Sequence, residues 1–225
     1  MSETKDTNGF INKASNGATE DRSINRLFPV FLKLEQMKVL LVGAGNVGLE
    51  KLNTIVTNSP NTRLLVVAKE LHADFVHTAS YYKNVEIVKG EYSANYIDGA
   101  DIVIVAVNDI ELSTKIRDDA KLKGKLVNVA DKPELCDFYL GSVVTKGNLK
   151  LAISTNGKSP TLAKRLKEVF NDMLPGEVDE VMNNLQNIRE QLQGDFKHKV
   201  EELNKITKVL VEKPVPKDAE DYWFL

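Results

Sequence analysis

The sequence predicts an α/β fold built on an open sheet of parallel strands. Three observations carry that expectation. Five short aliphatic runs recur between Lys38 and Ala130, separated by stretches able to form helices. The run at 101–107, DIVIVAV, is the most hydrophobic and β-branched, as a central strand covered on both faces should be. A glycine cluster, Gly43-Ala44-Gly45-Asn46-Val47-Gly48, directly follows the first run and opens a helical stretch.

Taken in order, residues 1–26 are polar, contain Asn8-Gly9 and Asn16-Gly17, show no periodicity and read as a flexible tail. The apolar stretch Leu27-Phe28-Pro29-Val30-Phe31-Leu32 is expected to open the folded region as a short edge strand. Residues 38–42 give the first strand of the repeat, and a helix runs from the glycine cluster to about Val56. The second strand is expected at 63–68 and the third at 85–88, with a helix over 70–81 between them. After the central strand come a helix over 110–123 and a fifth strand at 126–130. Right-handed crossovers join such strands into one sheet.

The rhythm changes after Pro133. Residues 138–145 and 149–154 read as two strands joined across Lys146-Gly147-Asn148, a hairpin outside the α/β repeat. Ser159-Pro160 opens a helix to about Met173, with Ser as cap and Pro at the first helical position. Pro175-Gly176 stops it. From Glu177 to Glu212 one apolar stripe recurs at three- and four-residue spacing, through Val178, Met182, Leu185, Ile188, Leu192, Phe196, Val200, Leu203, Ile206 and Leu210. Gly194-Asp195 is the expected break in this helix or helix pair, and Pro214 and Pro216 end it. The stripe reads as the core of a helical domain or as a dimer interface.

Composition narrows the function. The 225 residues carry 30 Lys+Arg against 32 Asp+Glu, a net charge of -2, which gives no global electrostatic case for nucleic-acid binding. The single cysteine, Cys136, excludes an internal disulfide and a Cys-based metal cluster within one subunit. It reads as a small hydrophobe near a domain junction. His72, His77 and His198 are scattered without ligand spacing, so no resident metal is expected. No apolar run approaches the roughly 20 residues of a spanning helix. The acidic, polar N-terminus lacks the order of a signal peptide, and a soluble cytoplasmic protein with no membrane partner is expected.

A Gly-x-Gly-x-x-Gly turn between strand and helix is the geometry that cradles a dinucleotide pyrophosphate on a helix N-terminus. Gly43 would make the tight turn, Gly45 admit the pyrophosphate, and Gly48 let helix and strand pack closely; Ala44, Asn46 and Val47 complete the cofactor-binding loop. The competing reading is a glycine-rich turn in a flavodoxin-like sheet without dinucleotide. The acid that usually binds the ribose is missing after Val67-Ala68. Lys69 favours a 2′-phosphate and Glu70 opposes it, leaving NAD and NADP unseparated. Asn108 and Asp109 end the central strand where open sheets bind ligands, on the nicotinamide or adenosine side; Asp109 reads equally well as the cap of the next helix.

The glycine cluster, the Val105-Ala106-Val107-Asn108-Asp109 strand end, N-V-A-D-K-P-E-L-C-D-F at 128–138 and S-T-N-G-K-S-P-T-L-A-K-R-L-K-E at 154–168 occur in this order. With them the chain resembles the precorrin-2 dehydrogenase family, which includes the N-terminal part of bacterial sirohaem synthase and the yeast bifunctional dehydrogenase/ferrochelatase. The resemblance covers residues 27–175 and, in outline, the helical stretch to about 213. It implies a Rossmann-type dinucleotide-binding domain at 27–140, a small α+β dimerisation region at 141–172, and a helical domain at 173–225 closing a tetrapyrrole site. The implied activity is NAD-dependent oxidation of precorrin-2 to sirohydrochlorin, by a homodimer, within sirohaem biosynthesis. Many members then insert ferrous iron to give sirohaem. With no methyltransferase sequence following, precorrin-2 is expected to come from another chain.

The resemblance also assigns roles. Asp131 matches the family's catalytic aspartate: a carboxylate there can take a proton as hydride leaves the macrocycle, or take pyrrole protons as metal enters. Its alternative is a turn or capping aspartate before Lys132-Pro133. Thr155, Asn156, Gly157, Lys158, Ser159, Lys164 and Arg165 form a loop and basic helix start suited to substrate carboxylates, against the alternative of an ordinary solvated face. Thr155 stands where family members have the second of a Ser pair. Two rivals remain: a dehydrogenase whose product goes to a separate chelatase, and a non-catalytic nucleotide-sensing or structural α/β protein that docks a partner through its C-terminal stripe.

Overall fold

Alternation along the central strands sorts their apolar side chains onto two faces, and each face is covered by helices. The computed structural model describes residues 25–208. Five strands, β1 (Lys38–Ala44), β2 (Arg63–Leu71), β3 (Val85–Lys89), β4 (Ile102–Val105) and β5 (Leu126–Val129), form a parallel sheet in the order β3-β2-β1-β4-β5. On one face Val39, Leu41, Val66 and Ile104 pack against Leu52 and Ile55 of α1 (Asn46–Asn58) and Phe75 of α2 (Ala73–Ala79). On the other, Leu40, Val42, Val103 and Val127 meet Ile97 of α3 (Asn95–Asp98) and Ile116 of α4 (Ile110–Leu122). The Rossmann-type architecture expected from the sequence is present.

The strand order reverses between β1 and β4. Successive strands add to one side of β1 until β3, after which β4 and β5 add to the other. Crossover loops therefore diverge at the C-terminal ends of β1 and β4, opening a crevice there.

Three local differences from expectation have physical reasons. No strand forms at residues 27–32: residues 25–33 are irregular, with Phe28 and Phe31 86% and 69% exposed. Pro29 offers no ladder amide, and the run has no alternation to choose a face. The helix expected over 70–81 contracts to α2, because β2 continues to Leu71, which pairs with Ala44. One-turn elements at Leu34–Gln36, Asn95–Asp98 and Pro133–Leu135 are too short to leave a periodic signature.

Beyond the sheet, β6 (Ser142–Lys146) and β7 (Leu149–Ile153) form an antiparallel hairpin, and α5 (Pro160–Met173) packs on it. Ser159 caps α5 by accepting a hydrogen bond from the Leu162 amide at 3.2 Å. Two ties fix the hairpin. Lys150 Nζ donates to the carbonyl of Asn58 at the end of α1, where a cation is favoured. Asp179 Oδ1 accepts from the Asn148 backbone amide at 2.7 Å and from its side chain at 2.9 Å.

Asp179 belongs to α6 (Val178–Gln191), which Gly194 (φ 109°) separates from α7 (Phe196–Thr207), as the sequence predicts. Asp195 caps α7 through the His198 amide at 2.9 Å. The stripe does not make a core, however: no residue of α6 or α7 is buried. Two amphipathic helices side by side bury too little without a third layer. Residues 1–24 of the tail expected at 1–26, and Leu210, Pro214 and Pro216, lie outside the described residues.

Asp179→Ala removes the acceptor that joins hairpin to α6 and an acid from a helix N-terminus. It should lower stability by about 1 kcal/mol, read as a lower urea midpoint at unchanged m-value.

Candidate functional site

The crevice at the sheet's C-terminal edge is shaped first by glycine. Gly43, the last residue but one of β1, takes φ 108°, and a Cβ there would lie 2.3 Å from the carbonyl oxygen of Ala106, just past β4. Gly48, in the first turn of α1, is as confined: a Cβ there would lie 2.3 Å from the Gly43 carbonyl oxygen. These two glycines press strand, turn and helix together. Gly45 differs: a Cβ on it would meet no protein atom within 4 Å, so its backbone faces open space at the start of α1. An approachable backbone at a helix N-terminus is what a pyrophosphate requires, so the residues present fit a dinucleotide.

Asp109 at the neighbouring strand end is a cap, accepting from the Leu112 amide at 3.0 Å, and Asn108 beside it is exposed. Lys69, weighed above for a 2′-phosphate, pairs with Glu91 at 3.1 Å, so its charge is countered locally.

Asp131 sits just past β5 on the same edge. Val105 pairs with Val129, and the Ala130 amide donates to the Val105 carbonyl at 2.9 Å, which places Asp131 beside the end of β4. At the usual strand spacing this is about 10 Å from the end of β1. Its backbone is left-handed at φ 58°, unfavourable for a residue with a Cβ and typical of positions held in place by their surroundings. Its side chain is exposed, and among the described residues no hydrogen bond or ion pair engages the carboxylate.

Asp131 lines a cleft of about 690 Å³ between α1, the β5 loop, the hairpin and the start of α5. Of the residues singled out for substrate, Thr155 and Gly157 share this cleft. Thr155 Oγ1 accepts from the Ser159 amide at 3.2 Å and lies 3.1 Å from the Ser159 carbonyl, which folds the 155–159 loop back on itself. Asn156, at φ 54°, is the second left-handed non-glycine residue of the described chain. Asn156, Lys158, Ser159, Lys164 and Arg165 do not line the cleft, nor do residues 43–48, Asn108 or Asp109. Ser159 is occupied as a cap, and Arg165 pairs with Glu168 at 2.7 Å.

The lysines that do face the cleft are Lys51, Lys132 and Lys167, against Glu50 and Asp131. Lys51 has a side chain only 16% exposed, with its Nζ 2.9 Å from Glu50. Sequence reasoning passed over Lys51 and Lys132. The signal for Lys51 was available: Glu50, Thr54 and Thr57 form a polar stripe opposite the buried Gly48, Leu52, Ile55 and Val56. A second hollow, of about 710 Å³ between α6 and α7, is lined by Leu185, Phe196 and Leu203 together with Gln186, Arg189, Glu190 and Lys199, and none of the residues singled out in the sequence for cofactor or substrate lines it.

Cys136 lines the Asp131 cleft and packs on the core beneath β5, as a small hydrophobe would. Burial pushes its thiol pKa up. Among the described residues no group of His, Cys, Asp and Glu is placed to hold a metal ion, and no helix is long and apolar enough to cross a membrane.

Known proteins match both parts of this architecture. Residues 30–142 match the family described as putative NAD(P)-binding, and residues 146–171 match the sirohaem biosynthesis protein central family. The siroheme synthase of Psychrobacter arcticus is 31% identical over 173 residues, covering 77% of this chain and 30% of that protein. That of Mannheimia succiniciproducens is 28% identical over 175 residues, covering 78% and 34%. The chain thus spans about a third of the length of the curated relatives it matches. Among solved structures, the precorrin-2 dehydrogenase SirC aligns with a TM-score of 0.62 at 23% identity, covering 80% of this chain and 89% of that one, and so shares the fold. The domain at the glycine turn is an NAD-binding Rossmann domain.

Two outcomes follow. Gly45→Ala should keep the thermal midpoint yet weaken NAD⁺ binding by about tenfold or more, because its methyl occupies only ligand space; Gly43→Ala should instead lose stability. Calorimetry of binding and unfolding separates the two. For Cys136, a folded pKa above the unfolded value of about 8.5 means its stability contribution is full below that pH and is lost as pH rises through the folded pKa. Iodoacetamide should accordingly modify the native thiol more slowly than a free cysteine at pH 8, and catch up only at higher pH.

Proposed function

We propose that this chain, which belongs to the sirohaem synthase/precorrin-2 dehydrogenase family, oxidises precorrin-2 to sirohydrochlorin. The observation that carries the reading is Asp131: an unengaged carboxylate, in a left-handed turn, lining a lysine-bearing cleft beside the glycine turn. Gly43, Gly45 and Gly48, with Ala44, Asn46 and Val47, would hold NAD⁺, which supplies the hydride acceptor when bound. Asp131 accepts the proton that the macrocycle gives up, and its exposure lets that proton pass on to water.

The tetrapyrrole's carboxylates meet Lys51, Lys132 and Lys167 around the cleft, with Thr155 and Gly157 offering hydrogen bonds. Lys51 is the least exposed of the ion-paired cations at the cleft, and its pairing with Glu50 at 2.9 Å offsets part of the charge it presents. Lys158, Lys164 and Arg165 stand outside the cleft, where they attract a polyanion at longer range.

Dehydrogenation alone is the form preferred. Insertion of ferrous iron, with iron as substrate and Asp131 receiving pyrrole protons, has only the relatives' name, siroheme synthase, behind it. The proposed unit is a homodimer of chains divided near residues 140 and 172. Its support is apolar surface uncovered within the described residues, including Phe28, Phe31, Val181, Phe196 and Ile206.

Purified protein given precorrin-2 and NAD⁺ should produce the absorbance of sirohydrochlorin together with that of NADH. Asp131→Asn should cut turnover at least about 100-fold while NAD⁺ affinity stays unchanged. Adding Fe²⁺ afterwards distinguishes the two forms of the enzyme, since only a chelatase would convert the product at a protein-dependent rate. Folded protein that leaves fresh precorrin-2 unoxidised would refute the reading.

A further inference from the structure

The loop that bears Asp131 is closed by a clasp along β5. β5 is an outer strand of the sheet, so its outward amides and carbonyls have no neighbouring strand. The chain turns back after the Pro133–Leu135 turn, and residues 136–138 run beside β5 instead. The Asp137 amide donates to the Val127 carbonyl at 2.8 Å, and the Val127 amide donates back to the Asp137 carboxylate at 3.0 Å. Lys121 of α4 pairs with the other oxygen of that carboxylate.

Further along, the Val129 amide donates to Cys136 Sγ at 3.2 Å. The thiol proton in turn has the Val129 carbonyl at 3.2 Å and the Lys132 carbonyl at 3.3 Å within reach. Asn128 Nδ2 completes the seam by donating to the Phe138 carbonyl at 2.8 Å. Two side chains, a thiol and a carboxylate, thus take the place of acceptors on a missing strand.

We infer that Cys136 is a positioning residue that acts through Val129 and Lys132 to hold Asp131 in its left-handed turn, with Asp137 anchoring the same seam. This deepens the proposed function and rests on it. The geometry is specific. Val129 and Lys132 are the residues on either side of Ala130-Asp131, and one sulfur contacts the backbone of both. A left-handed residue with a Cβ costs free energy, less for Asp than for most, and the sulfur braces a turn that the Lys132 amide also closes by donating to the Val129 carbonyl at 3.3 Å. Alanine would supply no contact of this kind. A thiolate would accept from the Val129 amide but face two carbonyl oxygens with no proton to offer, and the raised thiol pKa keeps that proton in place.

The test compares wild type, Cys136→Ala and Cys136→Ser by turnover with precorrin-2 and NAD⁺, NAD⁺ affinity, and amide hydrogen exchange. Cys136→Ala should lower kcat about tenfold or more, with NAD⁺ affinity unchanged, and Cys136→Ser should restore most of the rate because a hydroxyl also donates and accepts. In an Asp131→Asn background, Cys136→Ala should cost little more, since both changes act on one carboxylate. Exchange at Val129 should accelerate in Cys136→Ala while Val103 in the sheet interior stays protected. The exchange readout needs no activity, so an inactive wild type would remove the proposed function while Val129 still reports on the clasp. Unchanged exchange at Val129, equal kcat in all three proteins, or an additive loss in the Asp131→Asn background would overturn the inference.

Discussion

The approach of β1 to β4 at Gly43 and Ala106 is the constraint on which the rest of the structure depends. A methyl group at Gly43 would lie 2.3 Å from a backbone oxygen that has nowhere to move, because the Ala106 amide is bonded to the Val42 carbonyl at 2.8 Å. Only a residue without Cβ, free to take φ 108°, lets the chain leave β1 here and turn at once into α1. The close turn sets where α1 begins. The position of α1 then sets both the open backbone at Gly45 and the polar stripe of Glu50, Lys51 and Thr54 along the cleft wall. The glycine crevice and one wall of the Asp131 cleft are thus both consequences of one tight contact.

Much of this was legible because it rests on local patterns. The β-branched run at β4 and the glycine spacing are read within a few residues each. The Ser159 cap and the Gly194-Asp195 break are likewise local, and the structure places both where their chemistry requires. Other elements depend on more than local pattern. Residues 27–32 carry the apolar composition of a strand, but pairing is a property of a partner edge, which the local sequence does not encode. The stripe of α6 and α7 has helical period, yet period reports which face is apolar and not what covers it.

The site was harder to read than the fold for the same reason. Asp131, Thr155 and Gly157 come together across a hairpin and a helix start, and family resemblance rather than spacing linked them. The run of cations at Lys158, Lys164, Arg165 and Lys167 drew attention by density along the chain, and of these Lys167 alone lines the cleft. Density in sequence is a poor guide on a helix, whose neighbouring residues point in different directions. Lys51, Lys132 and Lys167 are far apart in sequence and share one cleft, while Arg165 spends its charge on Glu168. A net charge of -2 consequently says little about the field a polyanion would meet.

The outer edge of the sheet shows how fold and chemistry use the same residues. An edge strand needs cover, and a carboxylate proposed to accept a proton needs a fixed direction without partners of its own. Covering β5 with another strand would meet the first need, but regular pairing leaves no loop in which a residue can turn left-handed. Covering it with side chains from a returning segment meets both. Asp137 and Cys136 satisfy the amides of Val127 and Val129, and the short excursion they close has room for Asp131 at φ 58°. The motif at 128–138 then has a physical explanation at several positions: Asn128 and Asp137 seam the edge, Pro133 starts the turn, and Cys136 ties the two flanks of the carboxylate. An aspartate placed by its own side-chain hydrogen bonds would have its oxygens occupied by them. One placed through its neighbours' backbone keeps both oxygens clear of protein partners among the described residues.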